Sequence, residues 1–170
     1  MLIAKTPRYL EGGGLRLRPL RITDGPALAK MLGQEDILRS SGKDGPLKMP
    51  WFRLYFFLKK TFFFHYCIED DSKTIGFTGL FSLLPDRSAE MALVIFDASA
   101  RRRGHGTTAF RLLATALQSH PFIENLTVSV RRDNLGSLAF WNALGFEDIG
   151  GDKDVQRLTM RFLYSNIGIL

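Results

Sequence analysis

The first half of the chain alternates stretches of period-two hydrophobicity with stretches of helical spacing. Residues 15–20 (Leu-Arg-Leu-Arg-Pro-Leu) place apolar side chains at every second position and predict an edge strand. Thr23 or Asp24 then caps a helix whose apolar positions recur at helical spacing as far as Leu32. The glycines, prolines and serines of residues 39–50 predict an exposed loop that borders a substrate site.

The middle of the chain predicts strands joined by tight turns. An aromatic-faced helix over residues 51–60 leads into a strand over residues 62–69. That strand and the next, over residues 74–84, flank a polar turn and should form a hairpin. A second turn precedes Ala89–Phe96, a largely apolar run that is typical of the centre of a sheet.

The second half of the chain predicts strand–helix–strand order. Its elements are a helix over residues 109–117 that Pro121 ends, a strand over 123–130, a helix over 135–144 that Gly145 ends, and a hairpin of 146–149 with 155–164. The chain has 170 residues and carries no internal repeat or low-complexity linker. These features predict one mixed α/β domain over residues 1–170, with a core over about 15–164.

Composition and charge narrow the classes of partner. The net charge of +6 and the pI near 9.7 favour anionic partners, namely nucleic acid, a membrane surface or a phosphorylated cofactor. The single cysteine, Cys67, excludes an internal disulfide framework and a cysteine metal cluster, which indicates a reducing, cytoplasmic compartment and no metal. No apolar run reaches the roughly 18 residues that cross a bilayer, and the N-terminus lacks the apolar core of a signal peptide, so no membrane partner is expected.

The run 101–108 (Arg-Arg-Arg-Gly-His-Gly-Thr-Thr) stands between the central strand and the helix that follows it. Two glycines at this spacing allow a tight turn that brings bare N–H groups, at the positive end of a helix dipole, against an anion. The turn therefore predicts a seat for a pyrophosphate. A basic strand-to-helix turn without a ligand explains the same residues, because short glycine motifs often match by chance.

With these residues the chain resembles the GNAT family of acyl-CoA-dependent N-acetyltransferases. The run 101–106 matches the family signature Gln/Arg-x-x-Gly-x-Gly/Ala. Residues 134–146, with Asn-x-x-Ser followed by Trp-x-x-Leu-Gly-Phe, are similar to a second motif of the family. Residues 15–20 with Asp24 look like the start of the branch that holds the ribosomal-protein N-terminal acetyltransferases, so the likeness covers about residues 15–164.

The resemblance implies a fold and a mode of cofactor binding. The fold is a mostly antiparallel twisted sheet of about six or seven strands, splayed in the middle and flanked by about four helices. The strand that ends at Phe96 would part from the strand at 127–130 and leave a V-shaped slot. The pantetheine arm of acetyl-CoA would pair there with the backbone of Ile95 and Phe96, and Asn134 would reach the pantetheine amide or cap the following helix.

The same resemblance assigns the pyrophosphate to the glycine turn. Backbone N–H groups from about Arg102 to Thr107 would hold the phosphates. The expected cofactor-binding residues of the turn are Arg101, Arg102, Arg103, Gly104, His105, Gly106 and Thr107. The arginines add charge or are merely solvated, and the side chain of His105 is expected to point away from the ligand, in a structural or solvent-facing position.

For catalysis, the resemblance gives Glu90 the role of general base toward the acceptor amine, and backbone N–H groups near Ile95 stabilise the oxyanion. Glu90 also reads as a surface glutamate beside Arg87. Many relatives carry a tyrosine acid where this chain has Trp141, whose indole cannot deliver a proton at neutral pH. Ser137, one helical turn earlier, takes a related role at the sulfur or simply allows close packing. If neither residue protonates the thiolate, the proton of the amine itself passes to the sulfur, and placement of the amine beside the thioester supplies most of the rate enhancement.

The predicted function is transfer of an acetyl group from acetyl-CoA to a primary amine, either a peptide N-terminus or a small amine, in a ternary complex. Loop residues 40–43, the aromatic helix and the hairpin at 152–154 would line the acceptor groove. Acidic side chains there attract a cationic amine or belong to solvated turns. The sequence does not identify the acceptor or the acyl chain, and it is compatible with a homodimer.

Two other classes of protein share some of these features. A basic nucleic-acid-binding module explains the charge of Arg101–Arg103 and Arg131-Arg132 but not the glycine spacing. A non-catalytic acyl-CoA sensor with this fold explains the absent tyrosine.

Overall fold

A computed structural model describes residues 9–41, 64–118, 120, 122–150 and 157–163. This part of the chain forms one eight-stranded sheet in the order β1-β2-β3-β4-β5-β6-β8-β7 and four helices. The strands are β1 (Leu10–Gly12), β2 (Leu15–Pro19), β3 (His65–Asp70), β4 (Lys73–Leu83), β5 (Ser88–Ile95), β6 (Asn125–Arg131), β7 (Glu147–Asp148) and β8 (Arg157–Leu163). The helices are α1 (Gly25–Leu32), α2 (Glu35–Ser41), α3 (His105–Gln118) and α4 (Leu135–Ala143), with 3₁₀ turns at Ile22–Asp24 and Ala98–Ala100.

The sheet is antiparallel except at its centre, where β5 and β6 run parallel. Their pairing covers Ser88 with Asn125, Ala89 with Leu126 and Glu90 with Thr127, and there it ends. The rest of β5 and the rest of β6 continue without pairing to each other. The predicted fold class, a mostly antiparallel sheet splayed in the middle and flanked by helices, is confirmed.

One strand occupies a different place from the one predicted. β2 was expected at the edge of the sheet, yet it lies between β1 and β3. The edge is β1, a strand of three residues that is too short to show a hydrophobic period. Gly13 and Gly14, both at positive φ (58° and 77°), return the chain from β1 into β2.

Each face of the sheet has its own core. On one face, α3 and α4 contribute Phe110, Leu113 and Trp141 to a large apolar cluster, called the α3 core below. On the other face, Leu28 of α1 and Ile37 of α2 pack with sheet residues in a smaller cluster, called the α1–α2 core. The two faces are therefore covered by different pairs of helices.

The start of α1 differs in detail from the predicted cap. Asp24 does occupy the N-cap position, but its carboxylate makes no capping hydrogen bond. It accepts instead from Arg18 Nη1 at 2.9 Å, from Arg18 Nη2 at 3.1 Å and from the Arg21 N–H at 2.6 Å. Arg18 also donates from Nε to Glu69 at 2.6 Å. Burial opposes ionisation of Asp24, but the hydrogen bonds from Arg18 and Arg21 hold the pKa of its carboxyl below the usual value.

The other predicted strands and helices agree with the observed ones to within about four residues. Helix α2 was not predicted, and its residues 39–41 belong to the segment that was predicted to be a loop. The predictions at 42–63, at Pro121 and at 152–154 lie outside the described residues. Among the described helices, none combines the length and the apolar character needed to cross a bilayer.

Candidate functional site

The open side of β5 is the centre of the candidate site. Along β5, alternate residues direct their main-chain groups to opposite neighbours. The Phe96 N–H donates to Ile75 O at 3.0 Å, on the β4 side, and the Ala92 carbonyl accepts from Thr78 Oγ1 on the same side. Leu93 and Ile95 therefore direct their main-chain groups toward the gap beside β6, beyond the last paired residue.

This alternation changes one of the predicted contacts. The main chain of Phe96 belongs to the β4 ladder and does not face the gap, because its N–H is bonded to Ile75. Leu93, together with Ile95, is therefore the residue of β5 whose main-chain groups face the gap. The Ile95 carbonyl already accepts from Arg101 Nε at 2.8 Å. Among the residues that the structure describes, the groups left open on this edge are therefore the Leu93 N–H and C=O and the Ile95 N–H.

The turn from β5 into α3 has the geometry of an anion-binding loop. Arg102 and Gly104 adopt left-handed φ values of 61° and 80° and alternate with residues at negative φ. Such alternation points successive N–H groups toward one concave side. The first intrahelical bond of α3 runs from the Thr108 N–H to Gly104 O, so the N–H groups of residues 105–107 have no partner within the helix.

The two glycines of this turn serve different needs. A Cβ on Gly104 would meet no atom within 4 Å, so the glycine is needed there for its left-handed φ alone. A Cβ on Gly106 would lie 3.2 Å from the ring of Phe140 and 3.6 Å from Leu93 Cδ2. Gly106 therefore lets α4 and β5 close against the start of α3, and its loss would disturb packing as well as any ligand.

Arg101 lies at the site but is held by the protein. Its guanidinium donates to Ile95 O at 2.8 Å and to Phe96 O at 3.4 Å, and Nη1 lies 2.7 Å from Asp36 Oδ2 on α2. The hydrogen bond from Arg101 holds the pKa of Asp36 below its usual range. Arg101 thus joins the end of β5 to the α1–α2 side, whereas Arg102 and Arg103 are exposed.

His105 faces another strand of the sheet and is 17% exposed. Its Nε2 lies 3.7 Å from Asp70 Oδ2 at the end of β3. Its Nδ1 is buried and finds no hydrogen-bond partner within the described ranges. Of the two positions predicted for this side chain, the structure shows the structural one. The backbone N–H of His105 remains the group that a ligand would meet.

Helix α4 begins with the cap that the sequence predicts. Asn134 Oδ1 accepts from the Ser137 N–H at 3.0 Å, which leaves the amide NH₂ of Asn134 as a donor. The Ser137 side chain is half-buried, and its hydroxyl makes no hydrogen bond to any described residue. Both groups are thus able to bond to a ligand without breaking α4.

Trp141 stands where the family pattern has a tyrosine, and it belongs to the α3 core. It is 5% exposed and its ring lies 4.8 Å from Phe146, 4.9 Å from Phe140 and 6.1 Å from Phe110, centroid to centroid. Edge-to-face contacts of this kind favour a packing role. The indole therefore fills the core behind α4.

Glu90 is the last residue of β5 paired to β6, at the point where the strands part. Its neighbours Ala89 and Met91 belong to the α3 core, so its own side chain lies on the α1–α2 face. The carboxylate forms no ion pair with a described residue, and Arg87 is paired to Glu124. Glu90 is therefore half-buried and forms no ion pair with Arg87, and its role remains a prediction.

The sequence itself matches a known family. The family model for the acetyltransferase (GNAT) domain matches residues 14–147. The chain belongs to the GNAT acetyltransferase family. The predicted family is thereby confirmed.

Among curated proteins, the N-acetyltransferase 9-like protein of Nematostella vectensis is 30% identical over 93 residues. The aligned part is 54% of this chain and 47% of that protein, so the chain spans about half the length of this relative.

Solved structures share the fold over most of the chain. One is spermidine N-acetyltransferase from Vibrio cholerae in complex with CoA and spermine, with a TM-score of 0.79 at 15% identity. The match covers 92% of this chain and 99% of that chain. The ribosomal L7/L12 alpha-N-protein acetyltransferase RimL has a TM-score of 0.75 at 17% identity, and the match covers 91% of this chain and 93% of that chain. A member of the branch that residues 15–20 and Asp24 predict, the ribosomal-protein N-terminal acetyltransferases, is thus among the structures that share the fold.

The sequence patterns do not identify three residues at or near the site, namely Leu93, Asp36 and Arg161. Leu93 was missed because which edge of β5 a main-chain group faces depends on strand register. Asp36 was missed because its partner Arg101 is distant in sequence. Arg161 of β8 was missed because its partner Asp86 is distant as well. A carboxylate on α2 carries no signal that Arg101, 65 positions later, will reach it.

Proposed function

We propose that this chain binds acetyl-CoA in the gap between β5 and β6 and transfers the acetyl group to a primary amine. The observation that carries the proposal is the parting of β5 from β6 directly below the left-handed turn at Arg102 and Gly104. An extended amide chain fits the unpaired edge of β5, and an anion fits the N–H groups at the start of α3. Among the neighbours, a CoA complex has this fold.

In the proposed complex, the two substrates approach Glu90 from opposite faces of the sheet. The diphosphate lies against residues 102–107, on the face covered by α3, and the pantetheine arm pairs with Leu93 and Ile95. The acceptor amine enters from the α1–α2 face, where the Glu90 carboxylate lies. Both substrates are then held together, so the amine attacks the thioester directly at high effective molarity.

Each chemical step has a group in this arrangement. Glu90, directly or through water, takes the proton that the amine loses as it becomes a nucleophile. Of the two open N–H groups of β5, that of Leu93 is the nearer to Glu90 along the strand and donates to the oxyanion. The Leu93 carbonyl and the Ile95 N–H remain for the pantetheine arm. The Ser137 hydroxyl donates a hydrogen bond to the departing thiolate and relays a proton from water. Asn134 holds the pantetheine amide with the NH₂ group that its capping role leaves unused.

A pair of ligands tests the binding part of the proposal. Calorimetric titration should show CoA binding at least 100-fold more tightly than pantetheine, because charge-assisted bonds to two phosphates contribute about 3 kcal/mol or more. Equal affinity for the two ligands would contradict the proposal that the diphosphate binds at the glycine turn.

Mass spectrometry of products tests the transfer. Incubation with acetyl-CoA and a set of peptides and small amines should yield an acetylated amine and free CoA. Tight CoA binding without transfer to any amine would favour an acyl-CoA sensor. Binding of DNA in place of CoA, reversed by salt, would favour the nucleic-acid-binding alternative. The expectations of a cytoplasmic location and of one domain over residues 1–170 remain predictions.

A further inference from the structure

The face of the sheet that carries Glu90 also carries an incompletely used arginine. In the strand register, Glu90 of β5 is opposite Thr127 of β6, and Thr127 is opposite Arg161 of β8. Met160 and Phe162 belong to the α3 core, so Arg161 lies on the same face as Glu90. Two strand spacings separate their Cα atoms, which is roughly 10 Å.

The guanidinium of Arg161 is fixed, but most of its donors are unbonded within the described part of the chain. Nη2 donates to Asp86 Oδ2 at 3.2 Å, and one third of the side chain is exposed. Nε is buried and has no hydrogen-bond partner among the described residues. The other oxygen of Asp86 is occupied by the N–H and the hydroxyl of Ser88. One single bond therefore orients a group with five N–H donors, a fork that suits a carboxylate.

Opposite charges thus flank the entrance on the α1–α2 face. Glu90 attracts and deprotonates an amine, and Arg161, on the same row, presents a cation to whatever is attached to that amine. An acidic group at that position would form a charge-assisted bond with the guanidinium of Arg161. We propose that Arg161 selects acceptors whose reacting amine is accompanied by a carboxylate, such as a peptide N-terminus followed by acidic residues.

This inference rests on the proposed function, since it assumes that the acceptor amine lies at Glu90. It also departs from one expectation drawn from the sequence, in which acidic side chains attract a cationic acceptor. A peptide places the side chain of its second residue about 7 Å from its amine. An acidic second or third residue therefore spans the separation between Glu90 and Arg161.

The test uses two peptides that differ only in charge, Ala-Glu-Glu-Ala amide and Ala-Gln-Gln-Ala amide. Calorimetry on the CoA-saturated protein should show about tenfold tighter binding of the acidic peptide, the value expected for one hydrogen bond to a charged group. In Arg161→Gln the ratio should fall to below about twofold. Arg161→Lys should keep part of the preference, because the charge remains while the fork is lost.

The control is Arg111→Gln, which removes an exposed arginine from the middle of α3 and should leave the ratio unchanged. Melting temperatures and CoA affinity establish that each variant is folded. Equal affinity of the wild-type protein for both peptides, no binding of either, or a preference that persists in Arg161→Gln would each overturn the assignment.

Transfer kinetics separate this inference from the proposed function. If acetyl transfer occurs with both peptides at the same kcat/KM, the proposed function holds and the role of Arg161 is wrong. If the acidic peptide binds through Arg161 but receives no acetyl group, the selectivity holds and the catalytic proposal fails.

Discussion

Two regions of this molecule are rich in polar groups near the sheet, and they treat those groups in opposite ways. Around Arg18, the guanidinium is satisfied by Glu69, by Asp24 and by the Pro19 carbonyl, all within 3.1 Å. At the parting of β5 and β6, the Glu90 carboxylate and the Ser137 hydroxyl have no partner among the described residues. The first arrangement fixes α1 on the sheet, and the second leaves groups available for a ligand.

In this fold, structural and functional polar residues differ in whether the protein itself supplies their hydrogen-bond partners. A buried charge must be paired to be tolerated, so a completed network indicates a contribution to folding. Groups that the fold leaves unpaired at a gap in the sheet gain their partners from a ligand. Changes in the first region should therefore lower stability, and changes in the second should lower binding or turnover.

The largest effect is expected for Arg18→Ala. It leaves Glu69 buried and Asp24 half-buried without their cation, which costs about 3 kcal/mol of unfolding free energy and lowers Tm by about 6–12 °C. Thermal unfolding measures the change. CoA affinity at 15 °C should stay within about twofold of the wild type. An unchanged Tm would show that the network does not stabilise the fold.

Glu90→Gln should have the largest effect on turnover. Loss of a general base lowers kcat by about 100-fold, while Tm and CoA affinity stay unchanged, because the carboxylate has no ion-pair partner among the described residues. Steady-state kinetics with a reacting amine provide the measurement. If kcat falls by less than threefold, deprotonation of the amine does not depend on Glu90.

The two glycines of the turn separate an effect on ligand binding alone from an effect on both packing and binding. Gly104→Ala imposes left-handed backbone strain of about 1 kcal/mol and should weaken CoA binding about fivefold with a small change in Tm. Gly106→Ala forces its Cβ against Phe140 and should lower Tm together with CoA affinity. Adding Phe140→Leu to Gly106→Ala should recover Tm, and failure to do so would place the clash elsewhere.

The smallest effect concerns acid stability. The folded pKa of Asp24 lies below its ordinary value of 3.8, so its contribution is complete above that value and is lost as the pH falls through the folded pKa. Asp24→Asn should therefore be less stable than the wild type at pH 7, and the difference should narrow below pH 4. Unfolding in urea at a series of pH values checks this. A difference that is constant with pH would contradict it.

Local patterns were sufficient to predict several parts of the site. The caps at Asn134 and Gly145, the left-handed glycine at 104 and the placement of Glu90 on a central strand follow from residues close together in the chain. Each depends on a backbone preference or on strand periodicity, and neither needs a distant partner. The family signature adds the expectation that the sheet opens beside this strand.

Other features required the packed structure. The assignment of Phe96 to the β4 ladder, the attachment of Arg101 to Asp36 and the burial of Trp141 all join segments that are remote in sequence. Strand β1 was missed because a three-residue edge strand is defined by its partner and not by its own pattern.

Most of the strands and helices, the glycine turn and the family of this protein follow from its sequence, because these depend on short-range spacing and on backbone conformations that few residues adopt. Strand β1 and helix α2 do not follow from it. The tertiary structure decided which edge of β5 is open, which arginines are already bonded and which face carries Glu90 and Arg161. Those facts follow from strand register and from contacts across the sheet, where a shift by one residue reverses the direction of every group.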